Sequence, residues 1–242
     1  AIVQGFGNVG SHAARLLSEK GIKIVGIGDH TASFYNEKGI DIDAALAYAE
    51  KNNRILKGFN GATEIKSSEL LICKCDVLVP AALQNVINEE NAHKIQAKLI
   101  VEGANGPTMP KADTILNDKN IICVPDILAN SGGVTVSYFE WVQNKAGYYW
   151  TEEEVNTKHD FKMEIAFEAV KLVSESITEE LKNGGTANEK TQKQVVAAND
   201  AYKSMHSSIA NINKEYALGK LSNEERISQI QMQSDAFKDV LS

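Results

Sequence analysis

Six residues near the amino end, Gly5-Phe6-Gly7-Asn8-Val9-Gly10, set three glycines in the spacing G-x-G-x-x-G. Glycine-rich turns are common, so the flanks decide what this one means. Ala1-Ile2-Val3-Gln4 before it reads as a buried strand, and Val9 to Ser18 after it has helical apolar spacing. Between a strand and a helix, Gly5 permits the tight turn, Gly7 lets a pyrophosphate approach the backbone, and Gly10 lets helix and strand pack closely. The first N–H groups of the helix and its positive dipole end then face the phosphates. A second strand, Lys23-Ile24-Val25-Gly26-Ile27, leads to Asp29, 19 residues after Gly10. A carboxylate there accepts hydrogen bonds from an adenosine ribose and repels a 2′-phosphate; a plain turn aspartate beside Gly28 is the alternative. His30 would stack on adenine or meet a 2′-phosphate. These residues point to a dinucleotide, NAD in preference, with NADP left open by His30.

The elements that must position this chemistry alternate along the first 145 or so residues. Asp41 to Asn52 reads as a helix, Cys75 to Val79 as a strand, and Asn88 caps a short helix through Lys94. Leu99-Ile100-Val101 is a strand, Ala112 to Leu116 helical, and Ile121-Ile122-Cys123-Val124 another strand. Strands alternating with helices predict βαβ units, and nearly continuous apolar strands predict a sheet covered on both faces. The fold class is therefore α/β: a Rossmann-type, doubly wound, mostly parallel sheet with helices on both faces, followed by an α-helical C-terminal extension. Residues 1–150 form the dinucleotide-binding domain, with a helix over about 132–143. A long helix over 151–183, opened by the capping box of Thr151 and Glu154, closes it. Residues 187–242 form a helical hairpin of unclear role: Val195, Ala198, Tyr202, Met205, Ile209, Ile212 and Tyr216 make a heptad seam. Gly219 ends that seam, and Ser222 with Glu225 opens a second helix. The seam packs within the chain or against another chain.

Three further stretches are more specific: Cys75-Asp76-Val77-Leu78-Val79-Pro80-Ala81-Ala82, Val101-Glu102-Gly103-Ala104-Asn105-Gly106-Pro107-Thr108, and Pro125-Asp126-Ile127-Leu128-Ala129-Asn130-Ser131-Gly132-Gly133-Val134, which runs into Ser137-Tyr138-Phe139-Glu140-Trp141. With the glycine turn, over roughly residues 1 to 150, they resemble the C-terminal domain of the glutamate/leucine/phenylalanine/valine dehydrogenase family. The resemblance implies oxidative deamination of an L-amino acid to a 2-oxo acid and ammonia, with hydride passing to the nicotinamide. It places Asn8 on the pyrophosphate and ribose, and Ala81 and Ala82 near a ribose. Asn105 falls at the nicotinamide ribose and Asn130 at the carboxamide. Ser137 would face the substrate side chain, with Val134 against its methylenes. The serine and the Phe-Glu-Trp after it look like the glutamate-specific branch. Leucine, valine or phenylalanine dehydrogenases, and a non-catalytic dinucleotide-binding or assembly module, are the alternatives. Structural roles compete at each position: a turn at Asn105-Gly106-Pro107, a helix cap at Asn130, a hydroxyl bonded back to a helix carbonyl at Ser137.

The resemblance also implies what the chain does not carry. The family's catalytic lysine and aspartate belong to a substrate domain upstream of the matching region, and no segment here resembles its lysine motif. No catalytic residue is assigned, and L-glutamate or 2-oxoglutarate would be met together with that domain. Because Ala1 to Gln4 reads as a core strand, the chain is expected to be a piece of a longer protein, one that is homo-oligomeric like its family. The tail lacks the family's arginine- and alanine-rich helix. A net charge of -7 and a pI near 5.3 argue against nucleic-acid binding. No apolar run is long enough for a membrane span. Three cysteines, Cys73, Cys75 and Cys123, suit a reducing, cytoplasmic setting and make a zinc site improbable. Cys73 and Cys75, on or beside a strand, are expected to be buried on the same side.

Overall fold

Seven short strands make one sheet in the computed structural model: β1 (Ile2–Gln4), β2 (Gly26–Gly28), β3 (Ser33–Tyr35), β4 (Thr63–Ile65), β5 (Val77–Pro80), β6 (Leu99–Val101) and β7 (Ile122–Val124), in the order β4-β3-β2-β1-β5-β6-β7. The structure describes residues 1–182 and positions 208, 215, 220, 222, 225, 228, 229 and 232. It divides into two compact units, Ala1–Tyr149 and Trp150–Ser242. From β2 through β1, β5 and β6 to β7 every pairing is parallel; β3 and β4 extend the sheet antiparallel beyond β2. The chain leaves β1 toward β2 on one side and later returns to β5 on the other. The crevice beyond the carboxyl ends of β1 and β5 is thus a topological switch point, where open α/β sheets bind ligands.

Successive strand residues point to opposite faces, which splits the core in two. Val3, Ile27, Phe34 and Val79 pack with Ala14 of α1 (Asn8–Glu19) and with Ile42, Ala45 and Ala49 of α2 (Ile42–Lys51). Ile2, Leu78 and Ile100 pack with Leu70 of α3 (Ser67–Leu70), Ala92 of α4 (Glu89–Ala92), and Ala112 and Leu116 of α5 (Pro110–Asp118). Each fully buried isoleucine or leucine contributes roughly 1.5–3 kcal/mol, so the two layers hold the sheet, and with it the carboxyl ends of its strands, as a rigid edge. The doubly wound, mostly parallel fold with helices on both faces is as expected.

Local differences have local causes. Strand β2 is displaced toward Gly28, because Gly26, Ile27 and Gly28 are the residues that pair with β1. The antiparallel strands β3 and β4 were not expected: each has three residues, and in β4, at the edge, Thr63 and Glu64 are exposed, so no apolar alternation marks it. β3 is a strand because β2 offers it a partner, and β4 because β3 does. Helix α5 begins at Pro110, whose missing N–H costs nothing in a first helical turn. The predicted cap at Asn88 is present, and Asp41, expected only as the start of a helix, caps α2. Asp41 accepts from the Ala44 N–H at 2.9 Å, and Asn88 accepts from Glu90 N–H at 3.0 Å while its own N–H donates to Asn91 Oδ1 at 2.9 Å. After the single turn α6 (Asp126–Ala129), α7 (Ser131–Ala146) ends at Gly147 with φ 65°, the left-handed closure glycine favours.

In the second unit, α8 (Glu152–Lys182) opens with the predicted capping box, in which Glu154 N–H donates to Thr151 Oγ1 at 3.2 Å and Thr151 N–H to Glu154 Oε2 at 2.9 Å. Ser222 and Glu225 repeat it, at 3.2 Å and 2.8 Å. Apart from the isolated positions named above, the expected hairpin over 187–242, its heptad seam included, lies outside the described residues. Cys73 and Cys75 are only half-buried, against the face covered by α3 to α5. Burial pushes the Cys75 thiol up to about 11 and the Cys123 thiol up to about 12. No group that could hold a metal ion occurs among the described residues, and no helix there is long and apolar enough to cross a membrane.

Candidate functional site

The glycine turn closes β1 onto both its neighbours. Gly5 N–H donates to Gly28 O at 2.7 Å, and Ala81 N–H donates to Gln4 O at 2.6 Å. Two of the three glycines are required by this packing. Gly5 has φ +101°, and a Cβ on it would lie 2.6 Å from Ala81 O; one on Gly10 would lie 1.8 Å from Gly5 O. Gly7 is different. It stands in extended conformation as the N-cap of α1, with no side chain capping the helix, and a Cβ on it would meet nothing within 4 Å. Its bare surface and the uncapped N–H groups behind it fit a diphosphate. Asn8 and Val9 are exposed beside it. The Phe6 side chain is buried in the core with Val3, so what it offers a ligand is backbone.

Asp29 follows β2 on the same carboxyl edge and is half-buried. Its Oδ1 accepts from Thr31 N–H at 2.6 Å, Thr31 Oγ1 at 2.6 Å and Ala32 N–H at 2.9 Å; its Oδ2 accepts from Leu56 N–H at 2.7 Å. Burial pushes this carboxyl up, but the hydrogen bonds from Thr31, Leu56 and Ala32 together outweigh it and hold it below the usual 3.8. Asp29 is thus a turn aspartate whose Oδ2 keeps room for a further donor. His30 is exposed at its side.

Farther along the edge, Ala81 and the exposed Ala82 follow β5, Asn105 follows β6 and Asn130 follows α6. Asn130 Nδ2 donates to Asn105 Oδ1 at 2.7 Å. Asn130 is the N-cap of α7, yet its side chain caps nothing, so the amide is spent on Asn105 instead. The turn at Asn105 is also real: Gly106 has φ +53°. Two carboxylates hold it. Gly106 N–H donates to Asp126 Oδ2 at 2.8 Å, and Asp126 N–H donates to Glu102 Oε2 at 3.0 Å, Glu102 being buried. Val134 and Ser137 stand one turn apart on α7, both exposed. Ser137 has no hydrogen-bond partner among the described residues; it is Thr135 that bonds back to a carbonyl, that of Ser131, at 3.0 Å.

Sequence reasoning missed three contributors. Glu102 and Asp126 lie inside stretches already singled out, and carboxylates flanking an Asn-Gly turn are a readable signal. Arg54 lies in the loop after α2, and its Nη1 donates to Asn8 Oδ1 at 3.4 Å. Its only sequence signal is the polar Asn52-Asn53-Arg54 ending an apolar helix.

The family model for glutamate/leucine/phenylalanine/valine dehydrogenase matches residues 1–203. An NAD-specific glutamate dehydrogenase of Staphylococcus aureus (strain COL) is 49% identical over 175 residues, 72% of this chain and 42% of that protein. A cryptic catabolic NAD-specific glutamate dehydrogenase of Bacillus subtilis (strain 168) is 50% identical over 166 residues, 69% of this chain and 38% of that protein. The hetero-hexameric glutamate dehydrogenase of Thermus thermophilus in its leucine-bound form superposes with a TM-score of 0.66 at 27% identity, over 76% of this chain and 42% of that one. The glutamate dehydrogenase of Peptoniphilus asaccharolyticus does so with 0.55 at 32% identity, over 99% of this chain and 45% of that one. The chain thus spans about two-fifths of the length of the curated relatives it matches. On the family match and the glycine turn, the chain belongs to the glutamate/leucine/phenylalanine/valine dehydrogenase family.

Proposed function

We propose that the chain is the cofactor-binding part of an NAD-dependent glutamate dehydrogenase, which oxidatively deaminates L-glutamate to 2-oxoglutarate and ammonia. The observation that carries this reading is the carboxyl edge of the sheet, where an open Gly7 before an uncapped helix shares one rim with the Asn105–Asn130 pair. The N–H groups at Gly7, Asn8 and Val9 hold the pyrophosphate, and Asp29 Oδ2 takes a ribose hydroxyl. Ala81 and Ala82 leave space for the second ribose, while Asn105 and Asn130 orient that ribose and the carboxamide. Bound NAD accepts the hydride that leaves the substrate α-carbon.

Substrate choice falls to α7. A serine hydroxyl with no partner among the described residues suits a side-chain carboxylate, and an apolar amino acid would leave it unpaired at a cost of about 1–3 kcal/mol. Val134 packs the substrate's methylenes. Proton transfer is assigned to no residue of this chain; the chain alone is read as binding NAD without turning over glutamate. The whole protein is read as an oligomer, in line with the hexameric relative, and as cytoplasmic, in line with three free thiols.

The test is a calorimetric titration of the chain with NAD and with NADP. NAD is expected to bind at least tenfold more tightly, and Asp29→Ala to narrow the gap. Tighter binding of NADP overturns the cofactor assignment. Reduction of NAD by the chain in the presence of glutamate overturns the division of labour.

A further inference from the structure

The loop between α2 and β4 is built to hold one cation over the glycine turn. Asn53 and Arg54 adopt φ 55° and 61°, two consecutive left-handed residues without a glycine, a strained conformation that persists only where surroundings enforce it. The enforcement is visible. Arg54 N–H donates to Ala49 O at 2.7 Å, Leu56 N–H donates to Asp29 Oδ2 at 2.7 Å, and Lys57 N–H donates to Thr31 Oγ1 at 3.2 Å. Tyr48 Oη donates to Lys57 O at 2.8 Å, and the Leu56 side chain is fully buried. The exposed guanidinium that this loop carries reaches Asn8, the first residue of α1. Neighbouring Lys57 is paired with Glu64, whereas Arg54 pairs with no carboxylate among the described residues. An uncompensated guanidinium beside an uncapped helix N-terminus, in a chain of net charge -7, is a cation placed for an anion.

We propose that Arg54 binds the diphosphate bridge of the dinucleotide, and that Asp29 is the positioning residue that fixes the Arg54 loop. This rests on the cofactor-binding reading above. A guanidinium presents several N–H donors in a planar fork, so it can keep the Asn8 carbonyl and take a phosphate oxygen at once. The phosphates then lie between the N–H groups of α1 and the Arg54 side chain. Asp29 acts at both the ribose and the phosphates, the latter only through the loop.

Calorimetry with ADP, adenosine and NAD on the wild-type chain, Arg54→Asn and Arg54→Lys tests this. Asparagine tolerates the left-handed conformation and removes the charge. The expected result is that Arg54→Asn weakens ADP and NAD about tenfold, leaves adenosine unchanged, and loses its penalty as added salt screens the charge. Arg54→Lys recovers part of the affinity. Asp29→Asn, which puts an amide donor against Leu56 N–H, is expected to weaken ADP by more than it weakens adenosine; equal weakening of the two by Asp29→Asn confines Asp29 to the ribose and overturns its positioning role. Wild-type affinity for ADP in Arg54→Asn, or equal weakening of adenosine and ADP, overturns the assignment of Arg54 while leaving the cofactor reading in place. Failure of the wild-type chain to bind ADP or NAD overturns both.

Discussion

The two ends of the carboxyl edge are built on opposite principles. At the β1–α1 end the recognition surface is backbone: Gly5 and Gly10 are packed so closely that no side chain fits, and Gly7 is left bare. At the β6–β7 end it is side chain: Asn130 meets Asn105, and Asp126 and Glu102 hold the turn beneath them. The difference teaches where each part of a dinucleotide is read. A diphosphate needs charge and N–H groups, which a rigid main chain supplies without reorganisation. An amide and a sugar need donors and acceptors in a set pattern, which only side chains supply. The packed Gly5 and Gly10 of one end should therefore fail by unfolding, and the side chains of the other by losing affinity.

The largest effect is expected from Gly10→Ala. Its Cβ has no room against Gly5 O, so β1 and α1 must separate, at about 3 kcal/mol or more of stability. Chemical denaturation checks this, and a wild-type midpoint would break the contrast. At the other end, Asn130→Ala removes one exposed hydrogen bond and caps nothing. The account expects NAD to weaken roughly five- to tenfold while the melting temperature stays near wild type; calorimetry beside thermal melts separates the two. The smallest effect sharpens the boundary between the ends. Asp29 has a depressed carboxyl, so its contribution to stability is complete above its unfolded value near 3.9 and is lost as pH falls through its folded value. Asp29→Asn should cost about 1 kcal/mol at pH 7, and urea melts down the pH scale should show the gap to wild type closing below about pH 4.

How much was legible in the sequence follows the same divide. The glycine turn could be read because close backbone packing leaves few residue choices: Gly5, Gly7 and Gly10 announce themselves by spacing. Parallel strands such as Leu99–Val101 showed as apolar runs, since both their faces are covered. The antiparallel strands β3 and β4 did not: at the edge, Thr63-Glu64-Ile65 carries no period and becomes a strand only by pairing with β3. Asn105 and Asn130 were placed by resemblance, and their mutual hydrogen bond was invisible, as contacts across 25 residues are. The same holds for Arg54, which meets Asn8 across 46 residues of sequence, and for Leu56, whose N–H reaches Asp29 across 27, whereas the bonds from Thr31 and Ala32 to Asp29 are local.

Gly7→Ala tests the central claim most directly. The substitution is compatible with the backbone at that position and meets no atom of the protein, so it can only obstruct what comes from outside. The account predicts a wild-type melting temperature together with a loss of NAD affinity of tenfold or more in a calorimetric titration. Unchanged NAD affinity in the folded variant would contradict it, because the diphosphate would then lie somewhere other than on the glycine turn.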